Sequence, residues 1–172
     1  MPPSDPEPVS GQRRLPKAED FPRTGPYSLA APGPRFGARA IDLAVIAVPV
    51  VIVALLTTKE IAGQTQLDVP MWLLPAAALA GCLYEFASVA WRARTSGKWL
   101  TGLRIARYTD GRKPTPSQAL LRALLPWSIL ALPLGIFSVA AFLVVYGSGI
   151  GGGDLHRGLP DQAGGTLVIS TR

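Results

Sequence analysis

Arg35, Arg39 and Asp42 recur at i, i+4 and i+7, so a continuous helix places all three on one face. On that face Arg39 and Asp42 can touch, whereas Arg35 and Asp42 are about 10 Å apart in axial rise, too far for contact along one helix. Glu85 is a second acid in apolar surroundings. Two such carboxylates support either of two arrangements: an ion or proton site shared with an arginine or a protonated partner, or a structural ion pair that fixes helix packing. An ionised acid at the centre of a bilayer costs roughly 2.5–3.5 kcal/mol on insertion scales, and less near its boundary.

Other residue groups fall short of a chemistry. Ser96-Gly97-Lys98 invites comparison with a phosphate-binding loop, but the upstream glycine is missing and Trp99 stands where a Ser or Thr is required. Gly97 and Gly102 read instead as positions that permit tight turns. His156 and Asp154 supply too few ligands for a metal, and no Ser, His and acid set is arranged for nucleophilic catalysis. The expectation is a protein without enzymatic activity, cofactor or metal.

The elements that position these residues follow from where charge is missing. Of 172 residues 48% are hydrophobic and 16% charged, against about a quarter charged in a soluble domain. Leu43 to Thr58 and Val69 to Tyr84 are 16-residue runs without charge, and Ala123 to Gly153 is a run of 31. A membrane helix needs roughly 20 mostly apolar residues, so the first two runs reach that length by admitting Asp42 and Glu85. A small soluble domain offers no cover for three such helices. The first helix is expected at about 38–58, with Pro49 tolerated in mid-span, and the second at about 69–91, with Trp72 and Trp91 near its ends as in an interfacial belt. Lys59 to Asp68 reads as a short polar turn between them.

Lys plus Arg number six in residues 1–39, one in 57–68, eight in 92–122 and two in 147–172. The positive-inside rule puts the N-terminus and the basic loop in the cytoplasm. It also accounts for the net charge of +6 without nucleic acid. Residues 1–34 hold nine of the seventeen prolines and no apolar signal core, and read as a disordered cytoplasmic tail ahead of a membrane domain at 35–172.

The third apolar run would extend about 46 Å as one straight helix, against about 30 Å of hydrocarbon. Pro126, Pro133 and Gly135 interrupt it. It is either one kinked span or a hairpin of helices at about 117–132 and 133–149. Leu103 to Tyr108 alternates apolar and polar residues before the Asp110-Gly111 turn, and Thr166 to Thr171 reads as a second strand. Lone strands are marginal, and these two can pair only on the same side of the membrane, which favours the hairpin. The fold class expected is an all-α membrane protein, a polytopic bundle of about four transmembrane or re-entrant helices with a small cytoplasmic β pair. Arg122, in the second half of the chain, snorkels to headgroups or pairs with Asp161.

Three sequence pieces together resemble the RDD family of small bacterial membrane proteins, named for one arginine and two aspartates. They are Arg35, Ala38 and Asp42; the loop piece Thr95, Gly97, Lys98, Gly102 and Arg104, the most specific of the three; and Asp161, Gly165 and Thr166. Pro160 departs from the family habit of a histidine before that aspartate. The resemblance implies a membrane domain of unsettled function for which transport has been suggested, with the Asp161 segment near the basic loop.

The leading expectation is therefore a multi-pass protein of a bacterial plasma membrane that moves ions or a small solute as a homo-oligomer, with its polar site at Arg35, Arg39, Asp42, Glu85 and Asp161. The basic loop would meet anionic lipid headgroups, each cation being worth about 1 kcal/mol there. The rival is a non-transporting assembly or regulatory factor that engages a partner through the basic loop and the proline-rich tail. Arginine outnumbers lysine 13 to 4, a bias that fits a GC-rich bacterial genome.

Overall fold

The computed structural model describes residues 15–61, 64–67, 69–148 and 154–172. Helix α1 runs Pro32–Leu56. It begins six residues before the expected start because Pro32, in the first turn, lacks an N–H that would otherwise be unsatisfied there. A hairpin of β1 (Thr58–Ile61) and β2 (Gln64–Leu67) follows, where a plain polar turn was expected. Next come α2 (Leu73–Arg92), the short α3 (Ser96–Leu100) and β3 (Leu103–Arg107). Then α4 (Pro116–Leu130), α5 (Ile136–Gly147), α6 (Leu159–Ala163) and β4 (Thr166–Ser170) complete the chain.

Two of these helices are long and apolar enough to cross a membrane. With 25 and 20 residues, α1 and α2 extend about 37 Å and about 30 Å at 1.5 Å per residue. The most apolar stretch of α1 is only 6% buried, and Val45, Val48, Val51, Ile52 and Leu55 all stand exposed along it. In water an apolar face of that size would be an anomaly. Against lipid tails it is the ordinary outer surface of a span.

The third apolar region breaks at 131–135, where Pro133 ends one helix and Gly135, at φ +57, opens the next. With 15 and 12 residues, α4 and α5 extend about 22 Å and about 18 Å, each short of the hydrocarbon thickness of about 30 Å. Thr115 starts α4 by accepting from Gln118 N while Gln118 Oε1 accepts from Thr115 N, the reciprocal cap that satisfies otherwise orphaned donors. After α5 the chain comes back far enough for β4 to pair antiparallel with β3, in the register Leu103 with Ser170 through Arg107 with Thr166.

Residues 15–34 depart from the disordered tail expected of them; residues 1–14 of that tail lie outside the described residues. Tyr27 N donates to Ser170 O, Ser170 N to Ser28 O, and Ala30 N to Val168 O. This segment thus occupies the open edge of β4, whose backbone groups would otherwise lack partners. Below the pair, Leu103, Ile105, Val168, Ala30, Ala38, Val89 and Ala119 form one buried cluster.

A second cluster joins α2, α4 and α5. Trp127 packs at 4.9 Å between ring centroids on Phe142, which in turn stacks on Tyr146 at 5.1 Å. The indole of Trp127 fills the space that a Cβ at Gly81 would occupy, a small-residue contact of the kind that lets membrane helices approach. Gly81→Ala should therefore force the two helices apart or displace Trp127, costing about 1–3 kcal/mol. Thermal unfolding in detergent, against the wild-type protein, measures that loss.

Candidate functional site

The first three turns of α1 carry Arg35, Arg39 and Asp42 inward, and four further elements bring charged groups to meet them. The result is one cluster of four cations (Arg35, Arg39, Lys98, Arg122) and three acids (Asp42, Glu85, Asp161), with side-chain exposures from 0% to 11%. Each acid is a node with its own partners.

Asp42 is held by the loop after α2. It accepts from Gly97 N at 2.8 Å, from the Tyr84 hydroxyl at 2.8 Å and from the Thr95 hydroxyl, with Lys98 Nζ at 3.8 Å. Gly97 lies within α3 and has no unusual φ, so a tight turn is not its role. A Cβ there would overlap the Ala38 carbonyl and stand 3.0 Å from Asp42 Cγ, so glycine is what lets α3 lie against α1. Gly102 does make a turn, at φ +67. Gly97 and Lys98, from the stretch compared with a phosphate-binding loop, together with Thr95 thus form an anion cradle whose anion is the chain's own carboxylate.

Glu85 sits between two arginines, with Arg39 Nη1 at 3.5 Å and Arg122 Nε at 3.4 Å from Oε1, while Trp127 Nε1 donates to Oε2 at 3.1 Å. The Arg39 guanidinium also lies over the Tyr146 ring, 4.1 Å from its centroid, a favourable contact with the ring face. Arg39 therefore turns to Glu85 rather than to Asp42. Asp161, at the start of α6, binds Arg122 Nη1 directly, accepts from Gly158 N at 3.3 Å, and has Arg35 Nη2 at 3.8 Å. Arg35 also donates to the His156 carbonyl. Arg122 is the bridge, joined to Glu85 and Asp161 and donating to the Thr166 hydroxyl at 3.0 Å.

All five residues expected to form the polar site, Arg35, Arg39, Asp42, Glu85 and Asp161, thus meet in one cluster, and Thr95, Gly97 and Lys98 of the loop motif belong to it. Arg104 does not: it alternates with Leu103 and Ile105 on β3, opposite Ile169, and so faces the other side of the strand pair. Tyr84, Trp127 and Tyr146 were not singled out beforehand, since an aromatic in an apolar helix carries no sign of its polar contact. Arg122 is a member rather than a snorkelling side chain. Among the described residues no group of three or more His, Cys, Asp and Glu stands together as for a metal ion.

Lys98 lies in α3, outside the two long apolar helices. Burial, and then repulsion from Arg39 and Arg122, outweigh attraction to Asp42 and Glu85 and pull its ammonium down to about 7.

A family model described as the RDD family matches residues 29–165. No curated protein and no solved structure matches the chain.

Lys98 generates a pH prediction. Its folded pKa lies below the unfolded value of about 10.4, so between about pH 7 and about pH 10 the unfolded chain binds more protons at this residue. Stability from this group then rises with pH across that window and is lost as pH falls back through about 7. Melting temperatures of wild type and Lys98→Met, compared from pH 6 to pH 10 in detergent, should differ by that slope, the variant being flatter.

Proposed function

The chain belongs to the RDD family, and from that membership together with its buried charge cluster we propose that it is a membrane protein that moves small ions, with the cluster as the ion-coupling site. Family membership and the two long apolar helices point to a membrane protein. The cluster supports the finer reading. Taking an ion out of water costs several kcal/mol even after relaxation, and pairing seldom returns more than that. Seven such groups are therefore a poor device for stability alone, whereas intramembrane ionisable residues mark ion paths and proton relays. The free space among them is small, about 10 Å³, which favours inorganic ions over a larger solute.

The orientation in this proposal puts the basic loop and both β3 and β4 on the cytoplasmic side of a bacterial plasma membrane. Exposed Trp91 precedes the loop and exposed Trp99 lies within it, placed as interfacial aromatics are, and exposed Arg92, Arg112 and Lys113 remain available to anionic headgroups. Lys98 and Arg122 do not, being buried in the cluster. Two long apolar helices and two short ones leave little room for a pathway, so a homo-oligomer is part of the proposal, with the unpacked apolar face of α1 available to a second copy.

Purified protein in sealed liposomes tests this. Ion flux should follow an imposed gradient of protons, sodium, potassium or chloride. Glu85→Gln and Asp42→Asn, with helicity and elution unchanged, should drop it to the level of protein-free vesicles. Absence of flux in the wild-type protein under every gradient would leave the assembly-factor reading.

A further inference from the structure

The cluster encloses a cavity of about 10 Å³ lined by Arg35, Arg39, Lys98, Arg122, Asp161, Leu103 and Val168, about the size needed for one water-sized particle. Its walls are rich in donors. Arg122, fully buried, has Nη2 without any hydrogen-bond partner, and its Nε and Arg39 Nη1 have only the longer ionic contacts to Glu85. The one acid on the wall, Asp161, is already engaged by Arg122, Gly158 and Thr166. Below about pH 7, where Lys98 is protonated, the charges do not balance either: four cations face three acids.

We propose that this cavity is a binding site for one monatomic halide ion, held by Arg39, Lys98 and Arg122. A single monovalent anion brings the cluster to neutrality and supplies an acceptor to several donors at once. Water fits the same volume but brings no charge to the cluster. Phosphate, carboxylate and lipid headgroups are excluded by size. Leu103 and Val168 complete the wall with apolar surface, which a weakly hydrated halide tolerates better than a strongly hydrated oxyanion. The site stands independently of transport: a halide can be a fixed structural ion or a carried one.

The test is thermal unfolding of the full chain in detergent at about pH 6, where Lys98 is protonated, with potassium chloride titrated against potassium gluconate at constant ionic strength. Ligand binding to the folded state alone should give a saturable rise of about 5 °C in chloride, and bromide should reproduce it. Lys98→Met, which balances the charges without an anion, should lose the chloride response, while Arg92→Gln, an exposed cation outside the cluster, should keep it. Identical melting in chloride and gluconate for the wild-type protein overturns the site, as does a Lys98→Met response equal to wild type. Should Lys98→Met fail to fold, crystals grown in bromide decide: an anomalous peak in contact with Arg39 and Arg122 supports the site, and its absence there refutes it.

Discussion

A charge removed from water must find an opposite charge or a set of hydrogen bonds, because the low-dielectric interior magnifies both the penalty and the attraction. In this protein that requirement is met collectively. Asp42, Glu85 and Asp161 belong to three separate helices, and no one of them is satisfied by its own element alone. Arg122 reaches both Glu85 and Asp161, and Arg39 closes the gap between α1 and α2. Moving any one of α1, α2, α4 or α6 away would leave an uncompensated ion, so the cluster sets where those helices stand relative to each other.

The same requirement explains the shape of the loop after α2. Thr95, Gly97 N–H and Lys98 converge on Asp42, and the absence of a side chain at Gly97 lets them come close enough. Once α3 is pinned to α1, β3 starts beside it, β4 pairs with β3, and the segment at 27–30 adds to the far edge of β4. Polar structure is thereby gathered at one end of the molecule. The rest of α1 presents apolar surface outward, as a span in lipid does, so the division between wet and dry ends is built on one set of ion pairs.

Much of this was legible before the structure. Asp42 and Glu85 each adjoin a long uncharged run that reaches spanning length only by admitting them, which is why they could be assigned to one polar region. Pro133 and Gly135 mark the break between α4 and α5, and the alternation in Leu103 to Arg107 and Thr166 to Ser170 marks the strands. What escaped has physical reasons. Pairing of residues 27–30 with β4 uses backbone groups that every residue type carries, so a proline-rich composition hid it. Pairing of Arg122 with Asp161 was one of two readings offered for it, but its second link, to Glu85 37 positions away, spans a distance over which no local pattern operates. Gly97 looked like a turn glycine because a close approach between helices and a positive φ ask for the same residue.

The central claim is that the ion pairs act as a unit, and a double-mutant cycle on Arg122 and Asp161 measures it directly. Unfolding free energies in detergent would be taken for the wild-type protein, Arg122→Met, Asp161→Asn and the double variant. The account predicts a loss of about 3–5 kcal/mol for each single variant, and a double variant that falls short of their sum by at least about 2 kcal/mol. Single losses that add within about 0.5 kcal/mol would contradict it, since the two side chains would then be independent.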